Sequence, residues 1–282
     1  MKHLGDTLDL HGGGLDLVFP HHENEIAQSE AATRKPFSRC WVHNGFVEVD
    51  KEKMSKSLGN FFTARDLFER VEPEAIRYFM MTVHYRAPLN LDWTLDEEGN
   101  VTGFPQFEEA ERRVAYVYKT KQRLSELPDK RIVESDAEAP EELTGFPRAL
   151  GSALDDDLNM PVALAKVADF LKVVNELCDQ AMRKKGKAAR AAVEAAHRGF
   201  EALGNELGIG TEEPGDVLLR IRDRRANAKG LEAGWIEERI AARTEARKAK
   251  DFAQADGIRQ ELASRGVELL DGPEGTDWTI QD

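Results

Sequence analysis

The sequence predicts an α/β fold over about the first sixty residues and α-helices through most of the remainder. Three consecutive glycines, Gly12–Gly14, follow a short apolar stretch, and the lack of side chains there lets the backbone approach a ligand closely. Pro20 suits the first turn of a helix expected over residues 21–33, and Trp41–Gly45 has the pattern of another strand. Farther along, the stripe that ends at Cys178 has helical spacing and predicts a core-facing helix.

The helical part of the chain divides at Gly and Pro positions. Two short amphipathic helices are expected within about residues 64–84, separated at Pro73. Longer helices are expected at about 106–126, 148–155, 161–184, 187–206 and 214–229.

Three connecting segments have distinct compositions. Residues 94–106 are rich in Gly, Asn and Pro and predict a turn or hairpin, whereas residues 128–147 predict a loop or flexible connector. The three aspartates Asp155–Asp157 are interpreted as the end of one helix, with Asn159 capping the next before Pro161. A metal site at these aspartates is the less favoured alternative.

Residues 53–57, Lys-Met-Ser-Lys-Ser, are the strongest chemical motif of the chain. Lys53 and Lys56 place two ammonium groups three positions apart, with hydroxyl groups beside them, on a loop that ends at Gly59. Such groups bind polyphosphate and stabilise negative charge as it develops. The alternative is a solvated polar loop, which an isolated K-x-x-K usually is.

The glycine-rich segment is followed by polar side chains suited to nucleotide and metal binding. Asp16 lies where a carboxylate accepts hydrogen bonds from a ribose hydroxyl. His21 and Glu25 are four positions apart on the expected helix and therefore share a face, so they can bind one Zn²⁺. A surface pair without metal is the alternative for an isolated H-x-x-x-E.

These motifs together resemble a known family. K-M-S-K-S is the signature loop of class I aminoacyl-tRNA synthetases, and residues 8–25, L-D-L-H-G-G-G-L-D-L-V-F-P-H-H-E-N-E, resemble the cysteinyl-tRNA synthetases. The resemblance implies activation of cysteine with ATP and Mg²⁺ to cysteinyl-adenylate, then transfer to cysteine tRNA. Two alternatives stay open: a non-catalytic tRNA-binding protein and, less favoured, a mycothiol-type ligase, which has no reason to keep a long anticodon-binding extension.

The resemblance also implies roles for individual residues. Lys53 and Lys56 would stabilise the leaving pyrophosphate, and His21 with Glu25 would supply half of a zinc site. The adenosine or nucleotide pocket would include Gly14, Asp16 and, with weaker support, His43. Zinc selects cysteine over serine because a soft thiolate is a much better zinc ligand than a hydroxyl group.

Several elements of that family are missing from this sequence. The two zinc cysteines and the H-I-G-H type motif have no counterparts, and Cys40 and Cys178 are interpreted as packing residues. The resemblance thus implies a carboxy-terminal portion of the enzyme. It is a truncated gene product, the partner of a separately encoded amino-terminal half, or a diverged paralogue.

The predicted fold class is an α/β nucleotide-binding (Rossmann-like) partial domain, a mostly α-helical bundle and a small terminal α+β domain. The resemblance implies four segments. They are the second half of the catalytic domain (1–63), a stem-contact region (64–105), a helical anticodon-binding bundle (106–230) and a small anticodon-recognition domain (231–282).

Basic and aromatic residues near the end of the chain are candidates for RNA contacts. Arg243 and Arg247 lie one helical turn apart, and Trp278 is interpreted either as a stacking platform for a base or as a buried packing residue. Residues 183–187, Arg-Lys-Lys-Gly-Lys, form a second basic cluster. That cluster is interpreted with equal weight as a solvated linker or a phosphate contact.

Composition excludes several classes of protein. The 282 residues include only two cysteines, too few for a disulfide scaffold, and no apolar run reaches membrane-spanning length. The first residues show no signal peptide, so we expect a cytoplasmic protein without a membrane partner. The net charge of −13 does not exclude RNA binding, because salt screening confines electrostatic attraction to local basic surfaces.

Overall fold

In the computed structural model the described residues are 2–49, 52–53, 62–98, 101–135, 137–272 and 275–281, with the backbone alone described at 52–53. The chain forms two compact units, Met1–Thr211 and Glu212–Asp282. Within the described residues, no helix combines the length and the apolar character of a membrane span.

The first unit begins with a parallel pair of strands. Strand β1 (Leu8–Gly14) is followed by helix α1 (Glu23–Thr33) and then by β2 (Ser38–Asn44), with Leu10 opposite Cys40 and Gly14 opposite Asn44. In the preceding turn, Val18–His22, Phe19 has extended dihedral angles (φ −135°, ψ 134°), so the helical backbone starts after it at Pro20, as that proline predicts. Among the described residues this sheet has two strands, and every residue of β1 and α1 is exposed or partly exposed.

A second small sheet leads toward the motif at residues 53–57. Strand β3 (Val47–Val49) pairs antiparallel with β4 (Glu52–Lys53). After helices α2 (Ala64–Phe68) and α3 (Pro73–Met80), strand β5 (Leu89–Leu91) pairs parallel with β3. These short helices are where the sequence predicts them, with α3 starting at Pro73 because proline at a first helical position costs no hydrogen bond.

Gly45 connects the two sheets at a tight approach of two backbones. Its N–H donates to the carbonyl oxygen of Tyr85 at 2.8 Å, and a Cβ atom at this position would lie 2.2 Å from the carbonyl oxygen of Ala87. Only glycine fits here, because no L side chain avoids that backbone atom. The segment between α3 and β5 is thereby fixed against the end of β2.

The predicted hairpin precedes the longest helices. Strands β6 (Thr94–Leu95) and β7 (Val101–Gly103) pair antiparallel, and helix α4 (Pro105–Ser125) follows. The segment 128–147 is only partly a connector, which corrects the prediction of a loop. It includes strand β8 (Ile132–Val133) and helix α5 (Glu141–Thr144), because Leu143 is fully buried in the core of the bundle.

Helices α6 (Phe146–Asp155), α7 (Met160–Met182) and α8 (Arg190–Leu207) complete the bundle with α4, and the two-residue strand β9 (Ala188–Ala189) pairs with β8. Cys178 is buried in this core, as its position on an apolar stripe predicts. Phe146 stacks on Phe170 with ring centroids 4.3 Å apart. Burial of each such ring contributes about 1.5–3 kcal/mol, so apolar packing determines the bundle.

The junction between α6 and α7 confirms the predicted cap. The side-chain oxygen of Asn159 accepts a hydrogen bond from the backbone N–H of Val162 at 3.4 Å. Asp157, with a left-handed φ of 54°, instead contacts the segment before β5. Its carboxylate accepts hydrogen bonds from Arg86 and from the hydroxyl group of Tyr85, each at 2.7 Å, and these bonds lower the pKa of Asp157 to about 2. Asp157 therefore connects the bundle to the α/β part.

The second unit contains helices α9 (Pro214–Ala228), α10 (Ala233–Lys248) and α11 (Phe252–Ser264), with strands β10 (Val267–Gly272) and β11 (Gly275–Ile280) paired antiparallel. The division after Thr211 differs from the predicted boundary at residue 230, because Ala226 of α9 belongs to this unit's core. Trp278 is buried in the same core, with the Arg222 guanidinium 4.1 Å above its ring. Of its two interpretations, the packing residue is confirmed.

Candidate nucleotide and metal site

The carboxyl ends of β1 and β2 bring the predicted nucleotide residues together. Gly13 lies opposite His43 and Gly14 opposite Asn44, at the edge where ligands of parallel α/β sheets bind. A Cβ atom on Gly14 would lie 2.5 Å from Asp16 Oδ1, and one on Gly13 would lie 2.8 Å from His22 Cε1. A side chain at Gly13 would therefore displace the buried His22 ring, whereas one at Gly14 would require the Asp16 carboxylate to move.

Lys53 and Lys56 are described only in part. Lys53 ends the backbone of β4, and Lys56, with the rest of the motif after Lys53, lies outside the described residues. Their roles as pyrophosphate ligands stay predictions from the sequence.

Imidazole and indole rings cluster beside the nucleotide edge. His22 Nδ1 and His43 Nε2 form a hydrogen bond of 2.8 Å, and the Trp41 ring lies nearly parallel to that of His43 at 5.8 Å. His22 is only 3% exposed. Burial, followed by the neighbouring imidazoles of His11 and His43, lowers the pKa of His22, so this ring is neutral at physiological pH. A neutral ring can be both donor and acceptor of hydrogen bonds.

The carboxylate of Glu25 is the centre of the candidate metal site. His21 Nε2 lies 3.6 Å from Glu25 Oε1, across one turn of α1, and His11 Nε2 lies 3.0 Å from Glu25 Oε2. One potential ligand atom from each of His11, His22 and Glu25 falls within 4.8 Å of the others. Glu25 Oε2 is buried without a well-directed hydrogen bond, so the donor set fits a divalent cation such as Zn²⁺.

The sequence analysis did not find His11 or the contact between His22 and His43. His11 is on β1, fourteen positions from Glu25, and the pair meets because α1 packs beside the strand. The only sequence signal is the alternation along β1, which places His11 on one face and the flanking residues on the other.

The structure corrects two other predictions for single residues. Cys40 is exposed rather than packed, because its strand belongs to a sheet of two strands. Arg243 is only 5% exposed, and its guanidinium donates to Asp271 Oδ1 at 2.8 Å and Oδ2 at 2.9 Å. It is therefore part of the packing of the second unit rather than an accessible phosphate contact. Arg247 is exposed and lies 3.5 Å from the same Asp271 carboxylate.

Comparison with known proteins agrees with these motifs. Residues 1–99 match the family model of the class I (C) tRNA synthetase catalytic domain, and residues 150–211 match the DALR domain. The chain is 45% identical, over 99% of its own length, to the cysteine–tRNA ligase of Anaeromyxobacter dehalogenans strain 2CP-1. The chain contains part of a class I (C) tRNA synthetase catalytic domain and a DALR domain, and it is similar to about half of a cysteine–tRNA ligase. A similar ligase from Geobacter sulfurreducens is 42% identical over 100% of the chain.

The chain spans only about half the length of the curated relatives it matches, 55% and 56% of those two ligases. Solved structures support the fold. A LeuRS of Agrobacterium radiobacter K84, in a ternary complex with tRNA and LeuAMS, gives a TM-score of 0.50 at 17% identity over 74% of this chain and 27% of its own. The methionyl-tRNA synthetase of Mycobacterium tuberculosis with methionyl-adenylate gives the same score and identity, over 74% of this chain and 43% of its own. The predicted fold class is confirmed as a partial class I synthetase fold.

Proposed function

We propose that this chain contributes to the cysteine–tRNA ligase reaction as part of an enzyme completed by a further catalytic segment. The carboxylate of cysteine attacks the α-phosphorus of ATP to form cysteinyl-adenylate and pyrophosphate. A terminal ribose hydroxyl of cysteine tRNA then attacks the carbonyl carbon and releases AMP. The observation that supports this proposal most directly is the identity of 45% across the chain, together with polar residues gathered at the carboxyl ends of β1 and β2.

Each candidate residue has a proposed role in the first step. Gly14 and Asp16 bind the adenosine part of ATP, since a backbone without a side chain and an adjacent carboxylate suit a ribose. His43 lies at the same edge, fixed by His22, and contributes to the nucleotide pocket. Lys53 and Lys56 stabilise the pyrophosphate as its charge develops, and Mg²⁺ would neutralise part of the phosphate charge.

Zn²⁺ fits the donors around Glu25, and bound there it would provide a soft Lewis acid for the thiolate of cysteine. We propose His21 and Glu25 as its ligands in this chain. The His21 side chain is 60% exposed, which leaves room for ligands from a second segment, whereas His22 is buried and bound to His43. We propose that His11, whose Nε2 lies 3.0 Å from the other oxygen of Glu25, helps to position this carboxylate once the metal is bound.

An amino-terminal half of the catalytic domain is the partner that fits β1. Parallel sheets are normally covered on both faces and rarely have two strands, yet in the described part of the chain this sheet has two. Leu10 on β1 is 62% exposed, and Phe19 in the following turn is 77% exposed. A segment that adds strands beside β1 would cover these residues. We place the complete reaction in the cytoplasm, where charged tRNA is used.

A non-catalytic tRNA-binding protein is the second candidate. It is favoured by the contrast between the α/β part, which is sparsely buried, and the helical bundle, whose core includes Phe170, Val174 and Leu203. This alternative needs the helices but not the strands.

A fusion that restores the missing half tests which candidate is correct. We join this chain to the amino-terminal half of the Anaeromyxobacter dehalogenans ligase, as the resemblance implies, and name the product the completed enzyme. We expect ATP–pyrophosphate exchange that depends on cysteine and is not supported by serine. The unfused chain should give none. A folded fusion that binds tRNA but shows no exchange would favour the second candidate.

Zinc content tests the proposed ligands. In the completed enzyme, His21→Asn should lower the zinc retained against a chelator well below one per chain, since loss of one of four ligands weakens the site. Elemental analysis after dialysis against a chelator measures this. His197→Asn, a change at an exposed histidine of α8, is the matched control and should retain the metal. The unfused chain should lose zinc to the chelator, and retention there would contradict the assignment.

A further inference from the structure

A strongly basic surface lies at one end of the helical bundle, where α7 ends and α8 begins. Residues 129–134 and 183–190 contain seven Lys and Arg against two Asp and Glu, in a chain with a net charge of −13. We name five of these side chains the distal basic cluster: Lys130, Arg183, Lys184, Lys185 and Lys187. All five belong to exposed residues.

The backbone that presents this cluster is held in place by several contacts. The Arg131 guanidinium donates to the carbonyl oxygens of Arg183 at 3.2 Å and of Gly186 at 3.0 Å. Strand β8 pairs with β9 on the other side, and the Lys187 ammonium group donates to the carbonyl oxygen of Lys130. The cluster is thus ordered before any ligand binds, which reduces the entropy lost on binding.

Gly186 shows how tightly the loop closes. A Cβ atom there would lie 2.0 Å from the carbonyl oxygen of Gln180, so no other residue fits without moving the end of α7. Lys185 just before it has a left-handed φ of 65°, a conformation that turns the chain sharply. The structure of the loop therefore specifies where the lysines lie.

None of the five cations of the cluster forms an ion pair with a described carboxylate, whereas some other basic groups do. Among the described residues, no carboxylate lies within ion-pair distance of Lys130, Lys184 or Lys185. By contrast, Arg190 pairs with Glu134, and in the second unit Arg243 pairs with Asp271. Adjacent like charges without counterions attract a polyanion, because binding releases the counterions of both partners.

The cluster lies one helix length from the α/β part. Helix α7 has 23 residues and is therefore about 35 Å long. Its first turn follows Asp157, which binds Arg86 beside the α/β part, and its last turn precedes the cluster. A ligand that reaches both ends must extend over about the same length, which a folded RNA does and a single nucleotide does not.

We infer that the distal basic cluster binds the sugar–phosphate backbone of tRNA, away from the candidate catalytic site. This inference rests on the proposed function, which supplies the tRNA. Residues 183–190 include no aromatic side chain for stacking on bases, and lysine ammonium groups suit phosphates. The contacts position the RNA and do not read its sequence.

Paired charge substitutions in the whole chain test the inference. The variant K184Q/K185Q removes two cations with no acidic partner among the described residues, so the fold should be preserved, as circular dichroism can verify. Binding to a cysteine tRNA transcript is titrated by fluorescence over a series of salt concentrations. The slope of log affinity against log salt should decrease by roughly 1.4–1.8, and affinity near physiological salt should fall about tenfold or more, because two phosphate contacts are lost.

The matched control is K166Q/K172Q, which removes two exposed lysines of α7 and changes the net charge equally. It should leave the slope unchanged. An equal decrease in both variants would show a nonspecific charge effect and overturn the inference, as would an unchanged slope in K184Q/K185Q. A stronger effect on binding to polyglutamate than on binding to tRNA would identify an acidic protein as the partner and would also overturn the inference.

A second RNA separates this inference from the proposed function. If K184Q/K185Q weakens binding to cysteine tRNA and to an anticodon-swapped tRNA equally, and the completed enzyme has no exchange activity, the cluster is an RNA site and the proposed ligase function fails. If exchange activity is present and K184Q/K185Q leaves tRNA binding unchanged, the function stands and the inference fails.

Discussion

Replacing Lys56 with alanine in the completed enzyme should slow cysteine-dependent ATP–pyrophosphate exchange by roughly 10²-fold or more, with little change in tRNA affinity. The ammonium group is proposed to contact charge that develops on the pyrophosphate as it leaves. An interaction that is stronger in the transition state than in the ground state changes the rate more than the binding of substrates. Steady-state exchange at saturating cysteine and ATP measures the effect.

Lys51→Ala is the matched control, because Lys51 precedes the motif by two positions and is not one of the proposed pyrophosphate ligands. It should retain exchange within a small factor of the parent. Equal losses of exchange activity in both variants would mean that the overall positive charge of this segment, rather than a specific contact of Lys56, supports the reaction. Normal exchange in Lys56→Ala would remove this residue from the mechanism, whatever the behaviour of Lys53.

The second large effect is expected in the packing of β10, β11 and α10. Asp271→Ala should destabilise the second unit by about 2–4 kcal/mol, because it leaves the buried Arg243 guanidinium without its carboxylate. This loss of folding free energy is smaller than that expected for a fully buried ion pair, because the Asp271 side chain is 45% exposed. Hydrogen exchange of peptides from residues 267–272 and 275–280, in the whole chain, measures local stability.

Asp277→Ala is the control on the neighbouring strand. Its side chain is 74% exposed and lies 3.3 Å from Arg222, so its removal should cost less than about 1 kcal/mol. The double variant R243M/D271A should recover part of the lost protection, because no unpaired charge is then buried. Equal protection in Asp271→Ala and in the parent would contradict the assigned role of the pair.

Acid should weaken the same unit in a defined range of pH. Hydrogen bonds from Arg243 and Thr276 hold the pKa of Asp271 well below its usual range. A carboxyl group with a lowered pKa in the folded state stabilises the fold above the unfolded value of about 3.9, and this contribution is lost as the pH falls below it. The protection of β10 should therefore decrease below about pH 4 in the parent, and less steeply in Asp271→Ala.

Local patterns in the sequence were sufficient for most helices. The stripe ending at Cys178 and the cap at Asn159 depend on residues three or four positions apart, so their geometry is determined within one or two turns. Segment 128–147 was predicted incorrectly as a loop because its helix is only four residues long. Its stability depends on the burial of Leu143 against residues distant in sequence, which no local pattern contains.

The candidate site could be predicted only in part, for a related reason. The spacing of His21 and Glu25 within one helix is visible in the sequence, whereas His11 reaches Glu25 through the packing of a helix on a strand. Arg243 was interpreted as an accessible cation because helical spacing alone does not reveal which face is covered. Asp271, its partner, is 28 positions away and becomes its neighbour only when the terminal hairpin forms.

The open side of β1 has a consequence for handling the protein. A strand edge with exposed apolar neighbours is a template on which another polypeptide can add a strand. Because Leu10 and Phe19 are exposed, we expect this edge to pair with a second molecule of the same chain. Self-association would then compete with binding of the segment that completes the catalytic domain. The yield of unaggregated protein would depend on the relative rates of these two bimolecular reactions. Co-expression with that segment would favour its binding, since a high concentration of the segment near the newly made chain shortens the time for which the edge of β1 stays uncovered.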